Sequence, residues 1–253
     1  MVPEDVFELT GVADPRLSPD GKTVAYVVGA VDAQANDYRG AIWLAPADGA
    51  AEPRRFTSGV KHDADPRWSP DGAQLAFTSN REGKAMQLYV MPLAGGEPVQ
   101  LTDGDCEDTG PAWSPDGARL AAQRYPGVLD DPNHTQIAVV DAAGGLIELL
   151  TTALDRNCGT YPQLRAPVWD GDDIVFALED HGDTHLFRVA ADGSRAPELV
   201  AGGERTVTRF DTVAGRLLRF PEESHELTRS GSPAHGVQRF QIVLEWFDRH
   251  LKG

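Results

Sequence analysis

Cysteine is nearly missing from this chain: only Cys106 and Cys158 occur in 253 residues. Their spacing fits neither a metal site nor a redox pair, and two cysteines cannot build a disulfide framework. The compartment this implies is the reducing cytoplasm. Basic residues are also scarce, with 23 Lys and Arg against 39 Asp and Glu and a formal net charge of −16. Phosphate recognition needs the opposite balance, so nucleic acid is excluded as a partner. No apolar run approaches the ~18 residues that would suggest a membrane span. The opening Met1-Val2-Pro3-Glu4-Asp5 has no basic start and no apolar stretch, so a secretory signal is not expected. What is present is ordinary for a globular protein: 41% hydrophobic and 25% charged residues, in enough chain for one large domain or two small ones.

Internal repetition is the strongest signal. Ser18-Pro19-Asp20-Gly21, Ser69-Pro70-Asp71-Gly72 and Ser114-Pro115-Asp116-Gly117 recur at offsets of 51 and 45 residues. Their flanks recur too, as Asp14-Pro15-Arg16-Leu17, Asp65-Pro66-Arg67-Trp68 and Gly110-Pro111-Ala112-Trp113. A decayed fourth copy is Ala166-Pro167-Val168-Trp169-Asp170-Gly171. The tetrapeptide is a turn: Pro presets φ at its second position, Asp tolerates the third, and Gly supplies freedom at the fourth.

The second repeat predicts a strand ending near Trp68, then strands over Gln74–Ser79, Gln87–Met91 and about Pro98–Leu101. The fourth predicts Ile174–Leu178, Leu186–Val189 and Glu198–Val200. Four short strands every ~45 residues describe a β-propeller blade. Blades are expected to start near residues 14, 66, 111 and 167, with a remnant from 206, giving a propeller over 14–217 after a lead-in over 1–13. Those 204 residues amount to about four and a half blades. The expected fold is therefore mainly β, a partial propeller of four to five four-stranded blades. Open sheet edges of such an arc would favour self-association.

After Leu217 the texture changes. Ser232 suits an N-cap and Pro233 a first helical position. Apolar residues then fall at Val237, Phe240, Val243, Leu244, Phe247 and Leu251, with Ile242 and Trp246 beside them, which predicts an amphipathic helix.

Ser-Pro-Asp-Gly blades, followed by Phe220-Pro221-x-Glu223-x-His225-Glu226 and the helix Arg239-Phe240-x-x-x-Leu244-x-Trp246-Phe247, resemble the prolyl oligopeptidase family of serine peptidases. The acylaminoacyl peptidase branch is the most similar. The resemblance implies a propeller that restricts access to an α/β-hydrolase domain, with a Ser, Asp and His triad and short peptides as substrates. It implies that 218–253 is the end of the hydrolase domain and that His225 occupies the position of the catalytic histidine. No cofactor or metal is implied.

The departures are as informative. No Gly-x-Ser-x-Gly nucleophile elbow occurs anywhere in the chain. Ser232, in Gly231-Ser232-Pro233, lacks the second Gly, and Gly236 stands where relatives carry Arg. The alternating β/α segments that would carry Ser and Asp are missing, so the chain reads as a family member with a large internal deletion near 217–218. Catalysis by His225 within this chain alone is not expected, since it has no hydroxyl to activate.

Other groups of residues invite a functional reading. Asp180-His181-Gly182-Asp183-Thr184-His185 has metal-ligand residue types but falls on a hairpin turn. Asp103, Asp105, Glu107 and Asp108, and likewise Asp130-Asp131-Pro132-Asn133-His134, read as solvated acidic loops rather than calcium sites. Trp68, Trp113 and Trp169 recur at one blade position and read as core. The Gly pairs at 95–96, 144–145 and 202–203 sit in strand turns, not in a phosphate-binding loop. The rival to the peptidase reading is a propeller that only binds other proteins.

Overall fold

The computed structural model describes residues 7–127, 133–160, 165–203, 206–207, 210, 212–213 and 216–217. The tetrapeptide turns are its local organisers. In the first, Gly21 N donates to Ser18 O at 2.9 Å, closing the turn, and Gly21 sits at φ +72°. The side chains add a second clasp: Ser18 Oγ donates to Asp20 Oδ1 at 2.6 Å, and Thr23 N donates back to Ser18 Oγ at 2.9 Å. The same bonds recur at Ser69–Asp71–Gln74 and Ser114–Asp116–Arg119. Each serine is buried under its turn.

On either side of these turns the chain runs as antiparallel meanders. Blade 1 comprises β1 (Thr10–Leu17), β2 (Thr23–Asp32), β3 (Asp37–Pro46) and β4 (Arg54–Arg55). Blade 2 comprises β5 (Asp63–Trp68), β6 (Gln74–Ser79), β7 (Gln87–Pro92) and β8 (Val99–Gln100). Blade 3 comprises β9 (Glu107–Trp113), β10 (Arg119–Tyr125), β11 (Gln136–Asp141) and β12 (Glu148–Leu149). Blade 4 comprises β13 (Val168–Asp170), β14 (Asp173–Asp180), β15 (Asp183–Ala190) and β16 (Glu198–Ala201). A hairpin of β17 (Thr212–Val213) and β18 (Arg216–Leu217) follows, with β17 beside β13. The second-blade strands coincide with the ranges read from the sequence to within a residue or so.

The first strand of each of the first three blades begins upstream of its Asp-Pro or Gly-Pro motif. The strand runs through that motif by a β-bulge, so each of these blades starts a few residues before the 14, 66 and 111 expected from the repeat. Register shifts occur between Ala13 and Arg16, between Ala64 and Arg67, and opposite Ala121–Gln123. Asp14, Asp65 and Gly110 take φ of +49°, +52° and +61° at the bulge. Asp tolerates this left-handed conformation better than most residues.

The core lies between blades. Ala25, Ile42 and Leu44 of blade 1 pack on Leu75, Phe77 and Tyr89 of blade 2. Ala76, Leu88 and Val90 pack on Leu120, Ala122 and Val140 of blade 3. Ala121, Ile137 and Val139 pack on Ile174, Phe176 and Val189 of blade 4. Middle strands are covered on both faces, which is why β6 and β10 read as continuous buried runs. Blade 4 is capped in turn by Val207 and Phe210. The predicted terminal helix and all of 218–253 lie outside the described residues.

Candidate functional site

The inner strands carry the polar chemistry of the molecule. Blades 2, 3 and 4 each reach back to the one before through a tryptophan. Trp68 Nε1 donates to Arg16 O at 2.9 Å, Trp113 Nε1 to Arg67 O at 3.0 Å, and Trp169 Nε1 to Ala112 O at 2.9 Å. Their rings pack against the inter-blade clusters, as the sequence reading held, but the repeated N–H bond was not foreseen. The bulge aspartates make a second ladder: Asp14 Oδ2 accepts from Arg67 Nη1 at 2.6 Å, and Asp65 Oδ2 accepts from Gly110 N at 3.2 Å.

Five residues before the tryptophan of blades 2 and 3 stands a buried carboxylate, Asp63 and Asp108. Asp63 Oδ1 accepts from Ser79 Oγ at 2.6 Å and from Arg81 Nη2 at 2.9 Å. The Arg81 guanidinium also lies over the Phe77 and Tyr89 rings, at 5.1 and 4.8 Å. Asp108 Oδ2 accepts from Arg124 Nη1 at 2.6 Å, and Arg124 Nη2 donates to Asp103 O at 2.7 Å. Burial pushes the Asp108 carboxyl up to about 6, against the pull of Arg124.

This corrects the reading of Asp103, Asp105, Glu107 and Asp108 as one solvated loop. Glu107 and Asp108 belong to β9, and Asp108 is fully buried. The two copies of the buried Asp were legible as Asp63 and Asp108 at equal distance from Trp68 and Trp113, a signal passed over because the flanking acids drew attention to charge alone.

The remaining candidates do not converge. His181 Nδ1 lies 2.6 Å from Asp180 Oδ1, which also accepts from Arg156 Nε. His185 lies on β15, buried, with Nε2 at 3.2 Å from Gly203 O. The two rings thus serve different neighbours, and among the described residues no group of three or more His, Cys, Asp or Glu gathers as a metal site. His134 Nδ1 lies 3.7 Å from Asp155 Oδ1, while the preceding 128–132 lie outside the described residues. Burial pushes the Cys158 thiol up to about 11, so it is an inert apolar side chain. An open cleft of about 220 Å³ lies beside β9 and β10, lined by Glu107, Thr109, Gln123, Tyr125, Thr135 and Thr160. It can take a small polar group but offers no assembled nucleophile. His225 lies outside the described residues. No described helix is long and apolar enough to cross a membrane.

Comparison with known proteins matches this arrangement. The chain is 44% identical over 94 residues to the uncharacterized peptidase YuxL of Bacillus subtilis, covering 37% of this chain and 14% of that protein. It is 36% identical over 88 residues to dipeptidyl-peptidase 5 of Porphyromonas gingivalis, covering 35% of this chain and 13% of that one. The matched stretch is thus about a seventh of each relative. Among solved structures, a putative TolB from Agrobacterium tumefaciens superposes with a TM-score of 0.58 at 24% identity, covering 78% of this chain and 64% of that one. The resemblance to propeller-bearing peptidases drawn from the motifs is met by relatives that are named as peptidases. The model for the TolB beta propeller domain matches residues 4–207, and the chain belongs to that family.

Proposed function

We propose that this chain carries the substrate-screening propeller of a serine peptidase of the prolyl oligopeptidase family, in its acylaminoacyl peptidase-like branch. The observation that carries the reading is the co-occurrence, in one chain, of a TolB-type propeller and 44% identity to a protein named as a peptidase. The terminal Phe220-Pro221-x-Glu223-x-His225-Glu226 motif also supports it. On this reading the parent enzyme hydrolyses short peptides, releasing acylated or free N-terminal residues. A serine attacks the carbonyl, the histidine takes and returns its proton, and an aspartate orients the imidazole. Of these three groups only His225 is in the sequence, and without Ser and Asp it performs no turnover. The domain division is then a propeller over 14–217 and a hydrolase remnant over 218–253. A cytoplasmic setting belongs to the same reading.

Sequencing the source locus around the codons for Gly215 to Phe220 tests the deletion directly. A coding stretch containing a Gly-x-Ser-x-Gly elbow is expected there; an uninterrupted open frame in the parent gene would remove the reading. The second reading is a non-enzymatic protein-binding propeller. It predicts a stoichiometric protein partner released by substitutions on the exposed surface of the inner strands, and no hydrolase sequence at the locus.

A further inference from the structure

Two of the boundaries between described blades hold a guanidinium. Between blades 1 and 2, Arg81 donates to the buried Asp63 and lies over the Tyr89 ring at 4.8 Å. Between blades 2 and 3, Arg124 donates to the buried Asp108 and to Asp103 O. Strand register gives the corresponding positions in blade 4. Trp113 pairs with Leu120 as Trp169 pairs with Ile174, and Glu107 pairs with Tyr125 as Asn157 bridges to Glu179. Arg124 therefore corresponds to Leu178, and Asp108 to Cys158. The backbone agrees, since Asp108 N donates to Met86 O and Cys158 N donates to Thr135 O. Leu178 and Cys158 are fully buried in the apolar cluster between blades 3 and 4. Blade 4 thus replaces the ion pair of blade 3 with two apolar side chains.

What the third boundary has instead is the open cleft of about 220 Å³. Glu107, Thr109, Gln123 and Tyr125 line it from blade 3. By strand alternation they occupy the face opposite to Asp108 and Arg124, the one turned to blade 4. Glu107 is half-buried, and its carboxylate has no ion pair or hydrogen bond among the described residues. Such a group gains from a cation that follows it out of water. Tyr125 stands directly across the strand pair from Glu107. Carboxylate and phenol ring are therefore offered side by side, the combination that Asp63 and Tyr89 offer to Arg81.

We propose that this cleft binds a guanidinium group, presented as the arginine side chain of a peptide. Glu107 offers two oxygens for a forked contact, the Tyr125 ring offers its face, and the Thr109 hydroxyl is a further acceptor. The cleft is smaller than the roughly 300–1,000 Å³ of a site for a drug-sized ligand, so it suits one side chain and not a whole organic molecule. The net charge of −16 draws cations toward the chain in general, and the unpaired Glu107 gives that attraction a place to end. The inference does not rest on the peptidase reading and survives its failure.

The test is calorimetric titration of the full chain with the blocked peptide acetyl-Gly-Arg-Gly-amide, and with the same peptide carrying neutral citrulline for arginine. Saturable binding of one arginine peptide per chain is expected, about tenfold or more tighter than the citrulline peptide, because a charge-assisted contact is lost with the charge. In Glu107→Gln the preference is expected to vanish. A second measurement needs no variant: hydroxyl-radical oxidation of Tyr125, read by mass spectrometry, should fall severalfold with the arginine peptide and stay unchanged with the citrulline one. Equal binding of the two peptides would overturn the proposal, as would a preference that persists in a folded Glu107→Gln chain. So would the absence of saturable binding at millimolar peptide, or a Tyr125 that stays equally oxidised.

Discussion

At the scale of single residues, the molecule depends on a few buried polar groups whose partners come from the same blade. Removing Arg124 by Arg124→Leu strips Asp108 of its counter-charge and is expected to destabilise by about 3–5 kcal/mol. Urea unfolding checks this, and Asp108→Asn in the same background should recover part of the loss. Asp108 also sets a pH dependence. Burial disfavours the charge and pushes its carboxyl in the folded chain up to about 6, above the ordinary 3.8. Between those two values the folded state holds the proton more firmly than the unfolded one. The group's contribution is fully present below about 4 and is lost as pH rises through 6. Stability measured in urea at pH 4.5 and pH 7 should therefore differ by less in Asp108→Asn than in the wild type, opposite in sign to the turn aspartates. Asp20, Asp71 and Asp116 are held below the usual carboxylate range, first by the serine hydroxyl of the turn and then by backbone N–H groups. What they add is present above their ordinary value and is lost in stronger acid.

At the scale of elements, turns and middle strands were legible and inner strands were not. Ser-Pro-Asp-Gly names a turn through the φ preferences of Pro and Gly, and the apolar runs after it name β2, β6 and β10. The repeat places the first strands from Asp14-Pro15 and Asp65-Pro66 onward, because nothing in it marks a strand running through an Asp in the left-handed region followed by Pro. Only the ladder on both sides of the bulge reveals that β1 and β5 run through. The candidate site was legible where a residue type is scarce, as with three tryptophans at one blade position. It was opaque where the type is common, as with Asp108 among neighbouring acids. Two predictions belong here. Gly72 sits at φ +70°, with the position of an added Cβ 3.6 Å from Pro19 Cδ. Space is adequate, so Gly72→Ala should destabilise only through backbone strain, about 1–2 kcal/mol in thermal or urea unfolding. Trp113→Phe keeps an aromatic ring at the position, smaller than the indole, and removes the N–H that Arg67 O accepts at 3.0 Å. A loss of about 1–2 kcal/mol is expected, with no change of fold by circular dichroism.

At the scale of the whole molecule, the four described blades pack in sequence, blades 2, 3 and 4 each on the one before, and among the described residues the first blade shows an inter-blade face half open to solvent. The repeat count implies only an incomplete ring, since 204 residues of propeller give about four and a half blades. What the repeat could not show is which face stays open, because that depends on strand register and not on turn spacing. The functional account rests on the same arithmetic: blades and a terminal histidine motif are present, and a nucleophile elbow is not. The most direct test is the intact mass of the purified chain after treatment with a fluorophosphonate, which forms a stable adduct with an activated serine. The account predicts an unchanged mass. A shift of one adduct per chain would contradict it, because it would reveal a working nucleophile in a chain read as having none.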